Sequence, residues 1–234
     1  MKKRWTTHCI LICATLLGVV HAAAVLRENF HDLGNWRPLY FPNIDRHSQY
    51  GIVTKGSESF LKAESNASAS ALIFATDINV YDYPIMRWRW KVDNVYRKAD
   101  ARFKAGDDYP IRIYIVFKKD SNESGFLGAF ENSIHRLISG EDLPHSSLDY
   151  VWASKEQPEN IISSPYTDKV KMILIEKGGM KLGQWLEEEV NIVKDYELAF
   201  HQKPPPIAKL ALMNDSDNTG ESAVSYIDWI ELSK

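Results

Sequence analysis

The sequence predicts an all-β protein: a sandwich of two antiparallel sheets, jelly-roll-like, with one or two short helices. Three observations predict it. Short runs rich in Val, Ile, Tyr, Phe and Trp recur along the chain, parted by clusters of Gly, Asn, Asp and Ser. Two of those runs alternate strictly between apolar and polar residues. Helical spacing is confined to two stretches.

The elements follow in order. "MKKRW" is basic, "CILICATLLGVV" is apolar but shorter than the ~20 residues of a membrane span, and "VHAAA" is small. This is the pattern of a secretory signal peptide over residues 1–24, cleaved after Ala22 or Ala24, and it implies a secreted or periplasmic protein. Residues 25–234 then form one domain, a length that suits a full core. Both cysteines, Cys9 and Cys13, lie in the leader, so the exported part makes no disulfide. The leader holds three cations and no acid, and its removal takes the formal charge from −3 to −6. A mildly acidic domain of this kind argues against non-specific nucleic-acid binding.

"SQYGIVT" and "SFLKAES" read as two strands around the turn-like "KGSE". "SALIFATDINV" (70–80) is an apolar run suited to a strand buried on both faces. In "PIMRWRWKV" (84–92), Met86, Trp88, Trp90 and Val92 share one face, and Ile85, Arg87, Arg89 and Lys91 share the other. In "IRIYIVFK" (111–118), Ile111, Ile113, Ile115 and Phe117 face one way, and Arg112, Tyr114, Val116 and Lys118 the other. "DYVWAS", "VKMILIEKG", "GQWLEEEVNIV", "PIAKLALM" and "SAVSYIDWIEL" complete the strands. The two helical stretches are 125–140, with Gly140 at its end, and 195–200, with Asp195 as N-cap. The prolines of "HQKPPP" (201–206) forbid helix and favour an extended entry into the next strand.

Taken in order, "WRWKV", "DDYPIRIYIVF", "LPHSSLDYVWAS", "GQWLEEEVNIVKDYELAF" and "MNDSDNTG" resemble an exported bacterial family, domain of unknown function 3047. The resemblance runs from about Tyr50 to the C-terminus. It implies an exported protein, a β-sandwich, and no established activity or catalytic residues. One departure is Glu189, which stands where Arg commonly begins the "RNV" after the Trp-containing strand.

Two motifs carry candidate chemistry. "DSDNTG" spaces Asp215, Asp217, Thr219 and Gly220 like the first half of a calcium loop, and calcium takes six to eight oxygens at ~2.3–2.6 Å. Its twelfth position is Tyr226 instead of Glu and no helix follows, so it is no EF-hand. The candidate metal set is Asp215, Asp217, Thr219 and Asp228, for a structural calcium. The plainer reading is a turn whose Asp and Asn side chains bond their own backbone. "GDDYPIR" pairs Asp107 and Asp108 with Arg112, either as a ligand-contacting cluster or as a turn with a local ion pair.

The candidate ligand set is Arg87, Arg89, Asp108, Arg112, Tyr114 and Trp152. It supposes that the Arg87/Arg89 and Arg112/Tyr114 faces line one exposed sheet. Arginine pairs bidentately with carboxylates and sulfates, which suits an acidic glycan. The alternative for the basic face is pairing with acids such as "EEE" (187–189). Trp88 and Trp90, opposite the arginines, are core residues, whereas Trp152 and Trp185 near strand ends are the candidates for exposure. No GxSxG, HExxH or P-loop motif is present. The sequence therefore points to a binding module for a carbohydrate or similar polar ligand on one sheet face. A polysaccharide lyase or hydrolase, and a non-catalytic envelope protein, stand as alternatives.

Overall fold

The structure, a computed structural model, describes residues 25–118 and 146–234. The expected leader over 1–24 and the expected helix over 125–140 lie outside the described residues. Among the described residues, fourteen strands fall into two sheets. The first sheet is built from β3 (Gln49–Lys55), β4 (Glu58–Asn66), β7 (Ile85–Val92), β12 (Leu186–Asn191) and β14 (Ser222–Ser233), in the order β12-β7-β14-β4-β3. The short β1 (Leu26–Glu28) pairs with the end of β14. The second sheet has the order β10-β11-β9-β8-β13-β5-β2, with β6 (Ile78–Asn79) beside β13. Its members are β2 (Trp36–Leu39), β5 (Ala69–Phe74), β8 (Arg112–Phe117), β9 (Ser147–Ala153), β10 (Ile161–Ser163), β11 (Val170–Lys177) and β13 (Ile207–Asp215). All pairings among the described strands are antiparallel except β9 with β11.

Alternation places the core. On β7, Met86, Trp88, Trp90 and Val92 point between the sheets, as the period-two pattern requires, and each is fully buried. On β9 the same rule turns Leu148, Tyr150 and Trp152 inward. Trp88 meets Trp90 at 5.3 Å and Tyr150 at 5.9 Å, and Trp90 meets Trp152 at 5.7 Å, so one aromatic cluster ties the sheets together. The indole Nε1 of Trp152 donates to the Gly178 carbonyl at 3.0 Å, which satisfies its one polar atom inside the core. Trp152 is thus a packing residue and not a ligand contact.

The faces of the sandwich differ. The first sheet's outer face is open, and Arg87, Arg89 and Lys91 project from it. The second sheet is covered on both faces: β5, β8 and β9 are buried at every position. Leu39, Phe41 and Ile44 pack on Tyr114, Val116, Ala211 and Met213, and Ala101 and Tyr109 pack on Val151, Ala153 and Met172. Because β7 and β8 belong to different sheets, their arginines lie on opposite sides of the molecule. The expected single exposed face carrying both sets does not exist.

The helix α1 (Ile192–Phe200) starts three residues before the expected one. Asn191 is the N-cap, its side chain accepting from the Lys194 amide at 3.0 Å. Asp195 instead accepts from the Tyr150 hydroxyl at 3.0 Å. His201 adopts the left-handed conformation (φ 55°) that closes the helix ahead of the prolines. No helix among the described residues is long and apolar enough to cross a membrane.

Candidate functional sites on the two outer faces

The first site is a cleft of about 370 Å³ on the open face of the first sheet. Register explains its composition. Tyr226 on β14 stands opposite Lys62 on β4 on one side and Lys91 on β7 on the other. Phe60, two residues before Lys62, and Trp185, just before β12, complete an aromatic trio with Tyr226, at ring separations of 5.5, 5.7 and 6.2 Å. All three rings are half-buried. The Lys91 ammonium lies 4.2 Å from the Tyr226 ring centroid, and the Arg89 guanidinium 5.1 Å from that of Trp185. Arg89 Nη1 donates to Asp228 Oδ2 at 2.7 Å. A register shift in β14 between Ile227 and Trp229 breaks the alternation there, where Asp228 reaches Arg89 and Trp229 lies under the Arg27 guanidinium at 4.3 Å.

The sequence reading found part of this cleft. Arg89 lines it. Arg87 does not; it projects further along β7 and is held by Glu189 at 2.6 Å. The "EEE" segment does pair with the basic face, through Glu189 and, at 3.9 Å, Glu187 on Arg89. Glu188 turns inward and accepts from Trp90 Nε1 at 3.2 Å. Asp228, expected at a metal, is instead the partner of Arg89, on the sheet away from Asp215. Phe60 and Tyr226 were missed. Their signal was an aromatic residue on the polar face of an alternating strand: Phe60 shares its face with Lys62 and Glu64.

The second site lies under the cover of the second sheet, where "DDYPIR" and "DSDNTG" come together. Gly106 sets its approach: a Cβ there would come within 2.5 Å of the Asp100 amide nitrogen, so only glycine lets the chain pass. Arg112, the first residue of β8, is 4% exposed. Its Nη2 bonds Asp215 Oδ2, and its Nη1 lies 3.6 Å from both Asp107 Oδ2 and Asp149 Oδ2. Its guanidinium packs 4.8 Å from the Tyr109 ring centre and 5.4 Å from that of Tyr114. Tyr109 donates its hydroxyl to Asp107 Oδ1 at 3.0 Å. Asp108 holds the 215–220 turn: its carboxylate accepts from the amides of Asn218 at 3.3 Å and Thr219 at 2.6 Å. Gly220 ends the turn at φ 69°, its amide bonded to the Ser216 carbonyl. The Thr219 hydroxyl accepts from the Glu221 amide at 3.3 Å, and its carbonyl accepts from Lys98 Nζ at 3.1 Å.

Burial dominates the electrostatics here. It pushes the Asp149 carboxyl up to about 8 and Asp215 well above the usual carboxylate range, although Arg112 pulls both down. Asp107 and Asp217 are raised for the same reason. The remaining void, about 10 Å³, is lined by Arg112, Tyr114, Tyr166, Asp215, Asp217 and Asn218, among others. It has room for one water or ion but not a sugar ring. The expected contacts of Arg112, Tyr114 and Asp108 with a ligand's hydroxyls are therefore replaced by contacts within the protein.

Residues 34–231 match the family described as a protein of unknown function, DUF3047. The chain belongs to this family. No curated protein matches it. Among solved structures, this DUF3047 chain is similar to the family 11 carbohydrate-binding module from Clostridium thermocellum in complex with a β-1,3-1,4-mixed-linked tetrasaccharide. That match has 11% identity, 91% of this chain and 96% of that one, and a TM-score of 0.42. It is also similar to peanut lectin bound to a nine-residue peptide (10% identity, 91% and 97% covered, TM-score 0.44) and to the Bauhinia forficata lectin in complex with GalNAc (11%, 91% and 99%, 0.39). At these values the likeness carries no argument about what this chain binds.

Proposed function

We propose that this DUF3047 protein is a carbohydrate-binding module whose ligand lies on the open face of the first sheet. The observation that carries the reading is the half-exposed trio of Phe60, Trp185 and Tyr226 in a cleft rimmed by charged side chains. Aromatic rings offer flat apolar surface to the C–H face of a sugar, while Arg89, Lys91 and Asp228 supply hydrogen bonds to its hydroxyls. The lining holds the cations Lys55, Lys62, Arg89 and Lys91 against the acids Glu58 and Asp228. That excess favours a glycan bearing carboxylate or sulfate groups, in a chain whose overall formal charge is −3.

A panel of neutral β-glucan and xylan with alginate and polygalacturonate tests this by affinity electrophoresis and calorimetry. Retardation and heat of binding are expected for at least one, strongest for the acidic polymers and weakened by salt. No binding to any member sinks the reading.

A further inference from the structure

We infer that the edge of the sandwich between β2 and β3 carries a second binding groove, which takes a neutral oligosaccharide chain. Among the described residues, β2 and β3 end their sheets, and a cleft of about 520 Å³ lies between them. A second cleft, of about 600 Å³, lies against the end of β4 and the start of β14. Both are lined by His47 and Gln49, so they meet on the segment that leads into β3. Each has the size of a small-molecule site, ~300–1,000 Å³. Neither shares a lining residue with the cleft of Phe60, Trp185 and Tyr226.

Local packing sets the walls. Leu39 and Phe41 are buried under the cover of the second sheet, so Tyr40 between them turns outward and is 55% exposed. Its ring lies 4.6 Å from the His47 imidazole, and both line the cleft between β2 and β3. Ser48 and Tyr50 anchor the segment. Ser48 Oγ donates to the Asn214 carbonyl at 2.7 Å, and the Ser48 carbonyl accepts from Ser70 Oγ at 2.8 Å. The Tyr50 hydroxyl accepts from the Asn214 amide at 3.0 Å. His47 and Gln49 alternate with these anchors and are exposed, so the side chains offered to a ligand sit on a fixed backbone. Trp36 also lines this cleft, is 5% exposed, and leaves its indole Nε1 without a partner among the described residues. A buried donor left over marks a place for an acceptor that the chain does not supply.

The other cleft is polar. Arg46 and Asn66 are held there by their backbones: the Arg46 carbonyl accepts from the Ala69 amide at 3.1 Å, and the Asn66 amide donates to Ser68 Oγ at 3.0 Å. Their side chains, and that of Gln49, make no hydrogen bond or ion pair among the described residues. A side-chain amide both donates and accepts, as a sugar hydroxyl does, and an open tyrosine ring offers flat apolar surface to a sugar's C–H face. Charge separates this groove from the open face. Its one lining carboxylate, Glu64, is paired with Lys62 at 2.8 Å, and Arg46 is its one permanent cation. Without a cation excess the groove suits an uncharged chain, one ring over Tyr40 and the next along Gln49 and Asn66.

The inference does not rest on the reading of the open face, and calorimetric titration of cellohexaose, xylohexaose and mannohexaose into the protein tests it. Binding of at least one is expected. Tyr40→Ala is expected to weaken it by about tenfold or more, and Gln49→Ala by about fivefold, with circular dichroism unchanged. Tyr226→Ala, on the open face, is expected to leave that affinity within about twofold, since distant sites act independently. No heat with any of the three hexasaccharides overturns the inference, and so does parent-like affinity in Tyr40→Ala. A loss in Tyr226→Ala alone puts the neutral chain on the open face, which overturns the groove and upholds the proposed function. A loss in Tyr40→Ala that leaves alginate binding unchanged upholds the groove by itself.

Discussion

The outer faces of the two sheets carry the same residue types, arginine beside tyrosine and aspartate, and use them in opposite ways. On the first sheet, Arg89 and Asp228 meet at 2.7 Å in contact with solvent, and the rings around them stay half-open. On the second, Arg112 meets Asp215 with almost nothing exposed, under a cover of loops. The difference is one of dielectric. An exposed pair gains little from its Coulomb attraction, because water competes for both partners. A buried pair has already lost its water, so removing one partner strands the other. The first face is therefore free to bind, and the second is committed to holding its loops in place.

The largest expected effect comes from breaking the buried side. Arg112→Leu should lower unfolding free energy by about 3–5 kcal/mol in urea denaturation, because it leaves several buried carboxylates without a cation. A loss below about 1 kcal/mol would show that the chamber is no more committed than the open face. Next, Asp108→Ala removes the charged acceptor of the Asn218 and Thr219 amides. It should cost about 1.5–3 kcal/mol and speed amide exchange at those two positions first. Uniform exchange across the domain would contradict a role local to the turn.

A smaller effect lies at the rim of the core. Burial, and the charge of Glu176 nearby, raise Glu188 from 4.5 to about 7. A carboxyl raised in the folded state binds a proton more readily there than in the unfolded chain. Its contribution to stability therefore falls as pH rises from about 4.5 to about 7. Glu188→Gln keeps an acceptor for Trp90 and should flatten that fall, leaving the variant more stable than the parent at pH 8. Denaturation curves at pH 5 and 8 decide it, and an unchanged slope would remove Glu188 as the cause. The smallest effect is on the open face: Arg87→Ala should cost under about 1 kcal/mol, since Arg87 and Glu189 are both about half exposed.

This contrast was half legible in the sequence. Strict alternation in 84–92 placed Trp88 and Trp90 inside and the arginines outside, because a strand's side chains have no other choice. The pairing of "EEE" with those arginines followed from the same period. Which strands are neighbours did not follow, because register depends on contacts distant in sequence, and so Arg87 and Arg112 were set on one face. The cover over the second sheet had a trace in the sequence: "SALIF" is an apolar run on both faces, the mark of a strand with nothing wet beside it, and "DYVWA" is apolar after its leading Asp149. Arg112 and Tyr114 lie on β8, which pairs with the "DYVWA" strand and is likewise buried at every position. The meeting of "DDYPIR" with "DSDNTG" is set by the β8–β13 pairing, in which Arg112 stands opposite Met213. Neither motif shows it alone. The shift in β14 that brings Asp228 to Arg89 has no signature in an otherwise regular alternation.

The central claim is that ligand binds over the aromatic trio of the first sheet. Its most direct test is a calorimetric titration of the tightest-binding polysaccharide of the panel into the parent protein, Tyr226→Ala and Trp185→Ala, with folding checked by circular dichroism. The account predicts that each variant stays folded and loses at least about tenfold in affinity, equivalent to about 1.4 kcal/mol. Parent-like affinity in both variants would contradict it and move the binding site off this face.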